Sequence, residues 1–243
     1  MKKKLLILAG GFSREREISL KTARAVFKEI RNVYNTKISE PDGNLIATLR
    51  KFKPDVVFNA LHGRYGEDGY IQSILETEKI KYTHSGVLAS SIAIDKEISK
   101  KIFIKNKILT PKFQKFNFNK DKINQSFIKK LKSIIGFPLV IKPFNEGSSV
   151  EVYICNIKNF KKNLNKLHHY KEVMIEEYIG GREIQVAIMG KRKLGAIELV
   201  PKRKFYDYKA KYNIKAKTEH LIPVKISKKN MKKVLSLAYK AHR

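Results

Sequence analysis

The stretch VIKPFNEGSSVEV, residues 140–152, runs an apolar strand into Lys142, turns through Asn145, Glu146, Gly147 and two serines, and then resumes an apolar–polar alternation. A lysine at a strand end beside a small flexible loop suits a phosphate group. The ammonium supplies a point charge, and a glycine-serine loop offers backbone N–H groups to the oxygens. The same letters also describe a plain β-hairpin whose lysine points into water. The rest of the chain has to choose between the two.

The chain has 243 residues, enough for one large domain or two to three small ones. No apolar run approaches the roughly 18 residues of a membrane span. The N-terminus MKKKLLILAGGFSRERE starts basic like a signal peptide, but LLILAG is short and SRERE follows at once, which argues against one. Cys155 has no partner cysteine, which fits a reducing compartment. It sits in the apolar alternation VEVYIC and reads as a small core residue. The formal charge of +30 invites a nucleic-acid partner. Against this, lysine greatly outnumbers arginine, the usual bidentate reader of phosphate and base. The lysines are also spread along the whole chain. Abundant Lys, Ile and Asn together look like a coding bias toward A and T.

Strands and helices alternate over the first hundred or so residues, which predicts βαβ units and a mainly parallel, doubly wound sheet. KLLILAG reads as a buried strand, and Ser13 is placed to cap the helix EISLKTARAVFKEI. DVVFNAL reads as the second strand and YIQSILETEK as a helix. VLASSIAIDKEISKKIFIKN reads as one helix capped by Ser85. Ligands in such sheets gather at the C-terminal strand ends, where GGFSRE and HGRYGEDG both fall. After Pro111 the order becomes mixed. DKINQSFIKKLKSI is an amphipathic helix, FPLVIKP and VEVYIC form a hairpin, and IKNFKKNLNKLHHY is helical. EVMIEEYI is a strand, and two antiparallel strands surround Gly190. KFYDYKAKYNIKAKTEH is long for a loop, and Ser227 caps a last helix.

Several clusters admit a plain and a chemical explanation. Glu15 and Glu17 either complement a helix dipole or offer a carboxylate to a cationic substrate. His62 lies in a loop with three glycines and the acidic pair Glu67-Asp68. Glu176, Glu177 and Glu183 flank a double glycine, either as a solvated strand edge or as a hinge with carboxylates for ribose hydroxyls. FYDYKAKY is a sticky surface loop or a lid that excludes water. No zinc-type cluster, nucleophile elbow or P-loop lysine motif appears.

LAGGFSREREISL, ALHGRYGEDGYIQ, YTHSGVLASSIAIDK, IKPFNEGSSV, EEYIGGREIQVAI and FYDYKAKY, taken in this order, resemble the D-alanine–D-alanine ligases of the ATP-grasp superfamily over residues 4–243. The resemblance implies a Rossmann-like substrate domain at 1–95. An ATP-grasp flap subdomain at 96–180 and the first part of the C-terminal subdomain at 181–243, with a lid at 203–220, would follow. It implies ATP-dependent joining of two D-alanines through an acyl phosphate, for peptidoglycan precursor synthesis, in the cytoplasm and commonly in a homodimer. Neither membrane nor specific nucleic acid takes part.

By the same resemblance Glu15 takes the ammonium of the first D-alanine and joins Ser148 and Tyr212 in a triad that fastens the lid. His62 lies beside the substrate. Lys96, Lys142 and Lys211 hold ATP phosphates. Glu176 reaches adenine, with backbone of Glu177 and Ile179 beside it, Glu183 binds ribose, and Phe205 packs near the base. Tyr212 looks like the D-alanine type, with D-lactate and D-serine as the other second substrates in principle.

Two departures stand out. The family has glycine where this chain has Glu151. The family pattern also continues past residue 243 with an arginine and with the Mg²⁺ (or Mn²⁺) ligands, so the ATP-grasp region is expected to be C-terminally incomplete and the chain as given inactive. Alternatives are another ATP-grasp carboxylate–amine ligase, a basic nucleic-acid-binding domain, or an inactive remnant.

Overall fold

The structure is a computed structural model, and it describes residues 2–202, 211 and 218–243. The chain forms two compact units, Met1–Lys96 and Glu97–Arg243.

In the first unit, β1 (Lys4–Leu8), β2 (Asn35–Ser39), β3 (Val56–Asn59) and β4 (Lys81–Tyr82) form a parallel sheet in the order β2-β1-β3-β4. Successive side chains of a strand point to opposite faces. Leu6 and Leu8 pack with Leu45, Leu49, Ile71 and Leu75, whereas Ile7 packs with Ala23 and Ala60 on the other side. Both faces of β1 are therefore dry, which is why it reads LLIL with no polar alternation. The covering helices are α1 (Arg16–Ile30), α2 (Leu45–Phe52) and α3 (Tyr70–Thr77), and α4 (Val87–Ile94) follows β4. β2 and α2 are absent from the sequence expectation. β2 reads NTKIS and is an edge strand, half exposed, so it lacks the apolar run that marks β1 and β3.

Two helix starts also differ. Glu15, not Ser13, is the N-cap of α1, and the Ser13 hydroxyl instead accepts the Glu15 N–H at 3.1 Å. The predicted single helix after Ser85 is two helices, α4 and α5 (Lys96–Lys105), divided at Asp95, whose ψ of 106° is extended. Gly86 occupies the N-cap of α4.

The second unit holds two antiparallel sheets. The first runs β5-β8-β6-β7, from β5 (Phe113–Asn117), β6 (Leu139–Pro143), β7 (Tyr153–Cys155) and β8 (Glu172–Glu177). Leu139 and Ile141 of β6 and Val173 and Ile175 of β8 pack onto Leu131 of α6 (Gln125–Ile134) and onto Phe160 and Leu164 of α7 (Phe160–Lys166). Ile141 is fully buried there, so Ile141→Ala would cost about 2–5 kcal/mol. Cys155 belongs to this core, as its alternation implied. The opposite face carries Lys142 and Glu176. Asn124 caps α6 by accepting the Phe127 N–H at 2.8 Å. α7 is shorter than expected, and Lys158 lies in the turn before it.

The second sheet runs β11-β10-β9, from β9 (Glu183–Met189), β10 (Arg192–Val200) and β11 (Glu219–Leu221). Its hairpin turns at Gly190. Glu219 and His220, placed in the lid by the sequence, lie on β11. The last described helix is α8 (Lys228–His242), capped by the Ser227 hydroxyl, which accepts the Asn230 N–H at 3.2 Å.

Candidate active site

In the first unit, the turn after β1 and the loop after β3 meet. Glu15 is buried, and its carbonyl accepts the N–H groups of Ile18 and Ser19 at 2.9 and 3.0 Å. The Ser19 hydroxyl in turn accepts the Gly10 N–H at 2.8 Å, tying the glycine turn to α1. Gly63 brings the second loop against Glu15. Its φ is +65°, and a Cβ built there would sit 3.5 Å from Glu15 Oε2. The Gly63 N–H donates to Glu67 Oε2 at 2.8 Å, and the Tyr65 N–H to Asp68 Oδ2 at 2.8 Å, so both acids of the loop anchor its backbone.

His62 Nδ1 is 3.7 Å from Glu67 Oε1, an ion pair rather than a hydrogen bond at that distance. Glu67 holds the imidazolium above its ordinary pKa against the opposing effect of burial, with Glu15 adding to the same field. The Glu67 carboxyl is held below its usual range: burial works against this, and His62 and the Gly63 N–H outweigh it. Among the described residues, His62 Nε2 and Gln72 Oε1 are buried without a hydrogen-bond partner. Both residues line a cavity of about 360 Å³ with Asn59, Gly66, His84 and Ser90, a size suited to a small ligand.

In the second unit, Glu176 is buried between two lysines. Lys100 Nζ lies 2.8 Å from Glu176 Oε2, and Lys142 Nζ pairs with Glu176 Oε1. Lys100 also donates to Thr110 Oγ1 at 2.9 Å and stands 5.3 Å from the centroid of Phe113. Register explains the meeting. Phe113 pairs with Glu176 across β5 and β8, and Val140 pairs with Glu176 across β6 and β8. Lys142, two residues beyond Val140, therefore shares the face of Glu176. The sequence reading did not single out Lys100. The one signal that could have found it is spacing: Lys96 and Lys100 are four apart on α5 and so share a helix face.

The loop between β6 and β7 carries Ser148 and Ser149 at φ values of 47° and 59°, and Glu151 at 52°. Such values favour glycine. Here the Glu151 carboxylate folds back rather than outward. Tyr170 donates its hydroxyl to Glu151 Oε2 at 2.5 Å, and His169 Nε2 lies 3.3 Å from the same oxygen.

Glu183 opens β9, and crowding by the protein raises its carboxyl pKa while Lys211 pulls it down. Its neighbour Arg182 forks onto Glu198, donating Nε to Oε1 at 2.6 Å, and Nη1 to the Lys225 carbonyl at 2.9 Å. Glu177 ends β8 and donates its N–H to the Lys112 carbonyl at 2.9 Å, and Ile179 is exposed. Lys96 starts α5 and is half-buried. Tyr212 and Phe205 lie outside the described residues.

A family profile described as D-ala D-ala ligase C-terminus matches residues 102–243, and one described as D-ala D-ala ligase N-terminus matches residues 37–85. A curated relative named D-alanine–D-alanine ligase from Pelagibacter ubique (strain HTCC1062) is 64% identical over 100% of this chain and 80% of its own length. The chain belongs to the D-alanine–D-alanine ligase family. A second ligase of that name, from Wolbachia pipientis wMel, is 43% identical over 98% of this chain and 74% of its own length.

The fold agrees with the family. The D-alanine–D-alanine ligase of Bacillus anthracis superposes with a TM-score of 0.82 at 31% identity, covering 99% of this chain and 78% of that one. A structure of the same ligase complexed with ATP gives a TM-score of 0.79 at 27% identity, covering 99% of this chain and 77% of that one. The fold is thus that of an ATP-grasp ligase, and the activity of the family is ATP-dependent joining of D-alanine to D-alanine. Among the described residues of this ligase, no three His, Cys, Asp or Glu side chains cluster as metal ligands. Mg²⁺ usually relies on one or two carboxylates together with substrate phosphates.

Proposed function

We propose that the named residues divide the D-alanine ligase reaction between the two units. Glu15 receives the ammonium of the first D-alanine, and His62 stands beside it with a donor or acceptor at Nε2 for the substrate. Lys142, Lys96 and Lys211 neutralise phosphate oxygens. Glu176 takes the exocyclic amine of adenine. The Glu177 amide is already donated to Lys112, so its contribution at the base is a carbonyl, with the Ile179 N–H beside it. Glu183 takes ribose hydroxyls and Phe205 packs by the base. Ser148 and Tyr212 complete a triad with Glu15 that fastens the lid.

The chemistry is a phosphoryl transfer followed by an acyl transfer. The carboxylate of the first D-alanine attacks the γ-phosphorus, ADP leaves, and an acyl phosphate forms. The amine of the second D-alanine attacks the acyl carbon, loses a proton, and phosphate leaves with the C–O bond electrons. Side chains of this kind work by positioning and by charge neutralisation, not by covalent bonding. The observation that carries the nucleotide half is the buried Glu176 held between Lys100 and Lys142. Magnesium, a homodimer and a cytoplasmic location belong to the same proposal. No described helix is long and apolar enough to cross a membrane.

The test is thermal protection. A ligand at a hundred times its Kd stabilises the native state by about 2.7 kcal/mol. ATP is expected to raise the melting temperature, and D-alanine with ATP to raise it further, while L-alanine does not. No protection by ATP, or salt-sensitive binding to RNA in its place, sinks the proposal.

A further inference from the structure

Glu176 has a buried carboxylate with one lysine on each oxygen: Lys100 on Oε2 and Lys142 on Oε1. The two lysines are held very differently. Lys100 is buried, donates to Thr110 Oγ1 as well as to Glu176, and rests over the Phe113 ring. Lys142 is more exposed, sits near the end of β6 where the flap begins, and donates to Glu176 alone among the described residues. A buried carboxylate cannot lose all its compensating charge without a large penalty. It can lose one of two lysines if the other stays.

We propose that Lys100 is the permanent counter-ion of Glu176 and Lys142 the exchangeable one. When nucleotide enters, Lys142 leaves Glu176 for a phosphate, and the vacated Oε1 accepts the exocyclic amine of adenine. This rests on the assignment above of Lys142 to phosphate and Glu176 to adenine. Lys100 touches no ligand in this scheme; it is a positioning residue that keeps the Glu176 carboxylate compensated and oriented while its other partner changes. The two ammonium groups also oppose each other. Burial is the main cause that lowers the pKa of Lys100, and the charge of Lys142 lowers it further while Glu176 raises it. Departure of Lys142 relieves that repulsion.

The exchange couples the two ends of the nucleotide. Adenosine, which has no phosphate to draw Lys142 away, must compete with it for Oε1. Deleting Lys142 therefore has opposite effects on two ligands. By calorimetric titration of the whole chain, Lys142→Ala is expected to weaken ATP roughly ten- to a hundredfold, the loss of one charge-assisted bond, and to tighten adenosine. Lys100→Met, which traps Lys142 on Glu176, is expected to weaken both ligands. Thr110→Val removes only the hydroxyl that steadies Lys100, so it is expected to weaken both ligands by less and to remain informative if Lys100→Met does not fold.

ATP affinity unchanged in Lys142→Ala overturns the phosphate assignment itself. ATP and adenosine both weakened by Lys142→Ala preserves that assignment and overturns the exchange. Unchanged affinities in folded Lys100→Met, or in Thr110→Val when Lys100→Met is unfolded, overturn the role of Lys100.

Discussion

Lys142 on β6 and Glu176 on β8 sit on neighbouring antiparallel strands, two residues out of register, with their charges paired on the sheet face that α6 and α7 leave open. This diagonal pair sets a cation and a carboxylate side by side on one sheet face. The general positive charge of the chain offers a simpler attraction for ATP, and one comparison separates the two. Lys142→Ala is expected to lower ATP affinity about tenfold or more, and Lys158→Ala, in an exposed turn, to leave it unchanged. Equal effects in calorimetry would assign the attraction to bulk charge.

Glu15→Gln keeps the shape of the buried side chain and removes its charge. A charge-assisted hydrogen bond is worth about 1.5–3 kcal/mol, so in the enzyme completed to the length of its relatives KM for the first D-alanine is expected to rise roughly ten- to a hundredfold. Steady-state kinetics with an unchanged KM for that site would remove Glu15 from the substrate.

The His62–Glu67 pair is expected to show in titration. The folded His62 binds its proton more tightly than the unfolded chain does. The stability it contributes is therefore fully present below the unfolded histidine pKa and is lost as pH rises through the raised folded value. Glu67 behaves in the opposite sense: its contribution is present above the unfolded carboxyl pKa and is lost as pH falls through the lowered folded value. About half of the Glu67 side chain stays in water, so solvent screens the pair. In proton NMR the His62 ring is expected to titrate above an exposed histidine, and Glu67→Gln to bring it down. A His62 titration indifferent to Glu67→Gln would break the pair.

Gly66 is a steric requirement. A Cβ at this position would lie 2.4 Å from Leu61 Cβ, and its carbonyl accepts from Asn59 Nδ2 and Gln72 Nε2 at 2.8 and 2.9 Å. Gly66→Ala is expected to destabilise the first unit by about 1–3 kcal/mol through overpacking. A melting curve that matches the parent would show that the loop can yield.

Glu151 is held in its left-handed conformation by Tyr170 and His169. Glu151→Ala keeps the backbone cost and loses those bonds. Hydrogen exchange at the Val150 amide, which donates to the Gly147 carbonyl at 3.0 Å, is expected to quicken about fivefold for a loss of ~1 kcal/mol. Unchanged exchange there would mean that the flap does not depend on Glu151.

Local chemistry determined by itself the parts of this protein where one segment is enough. LLIL is apolar without alternation because both faces of β1 are covered, and that run announces a parallel sheet wherever its neighbours lie. Asn124 and Ser227 cap helices through bonds that span three residues. The ligase family was legible because its motifs are contiguous loops at strand ends, where the backbone itself makes the site. Tertiary structure alone decided the rest. β2 is an edge strand whose pattern is polar, so only pairing with β1 reveals it. Lys100 meets Glu176 from 76 positions away, and its other partners, Thr110 and Phe113, lie just before and on β5. The folding-back of Glu151 depends on Tyr170 arriving from beyond α7. A charge in water and a charge in a buried pair are the same letter in a sequence. Which of the two it becomes is set by the strands and helices that remove the water around it.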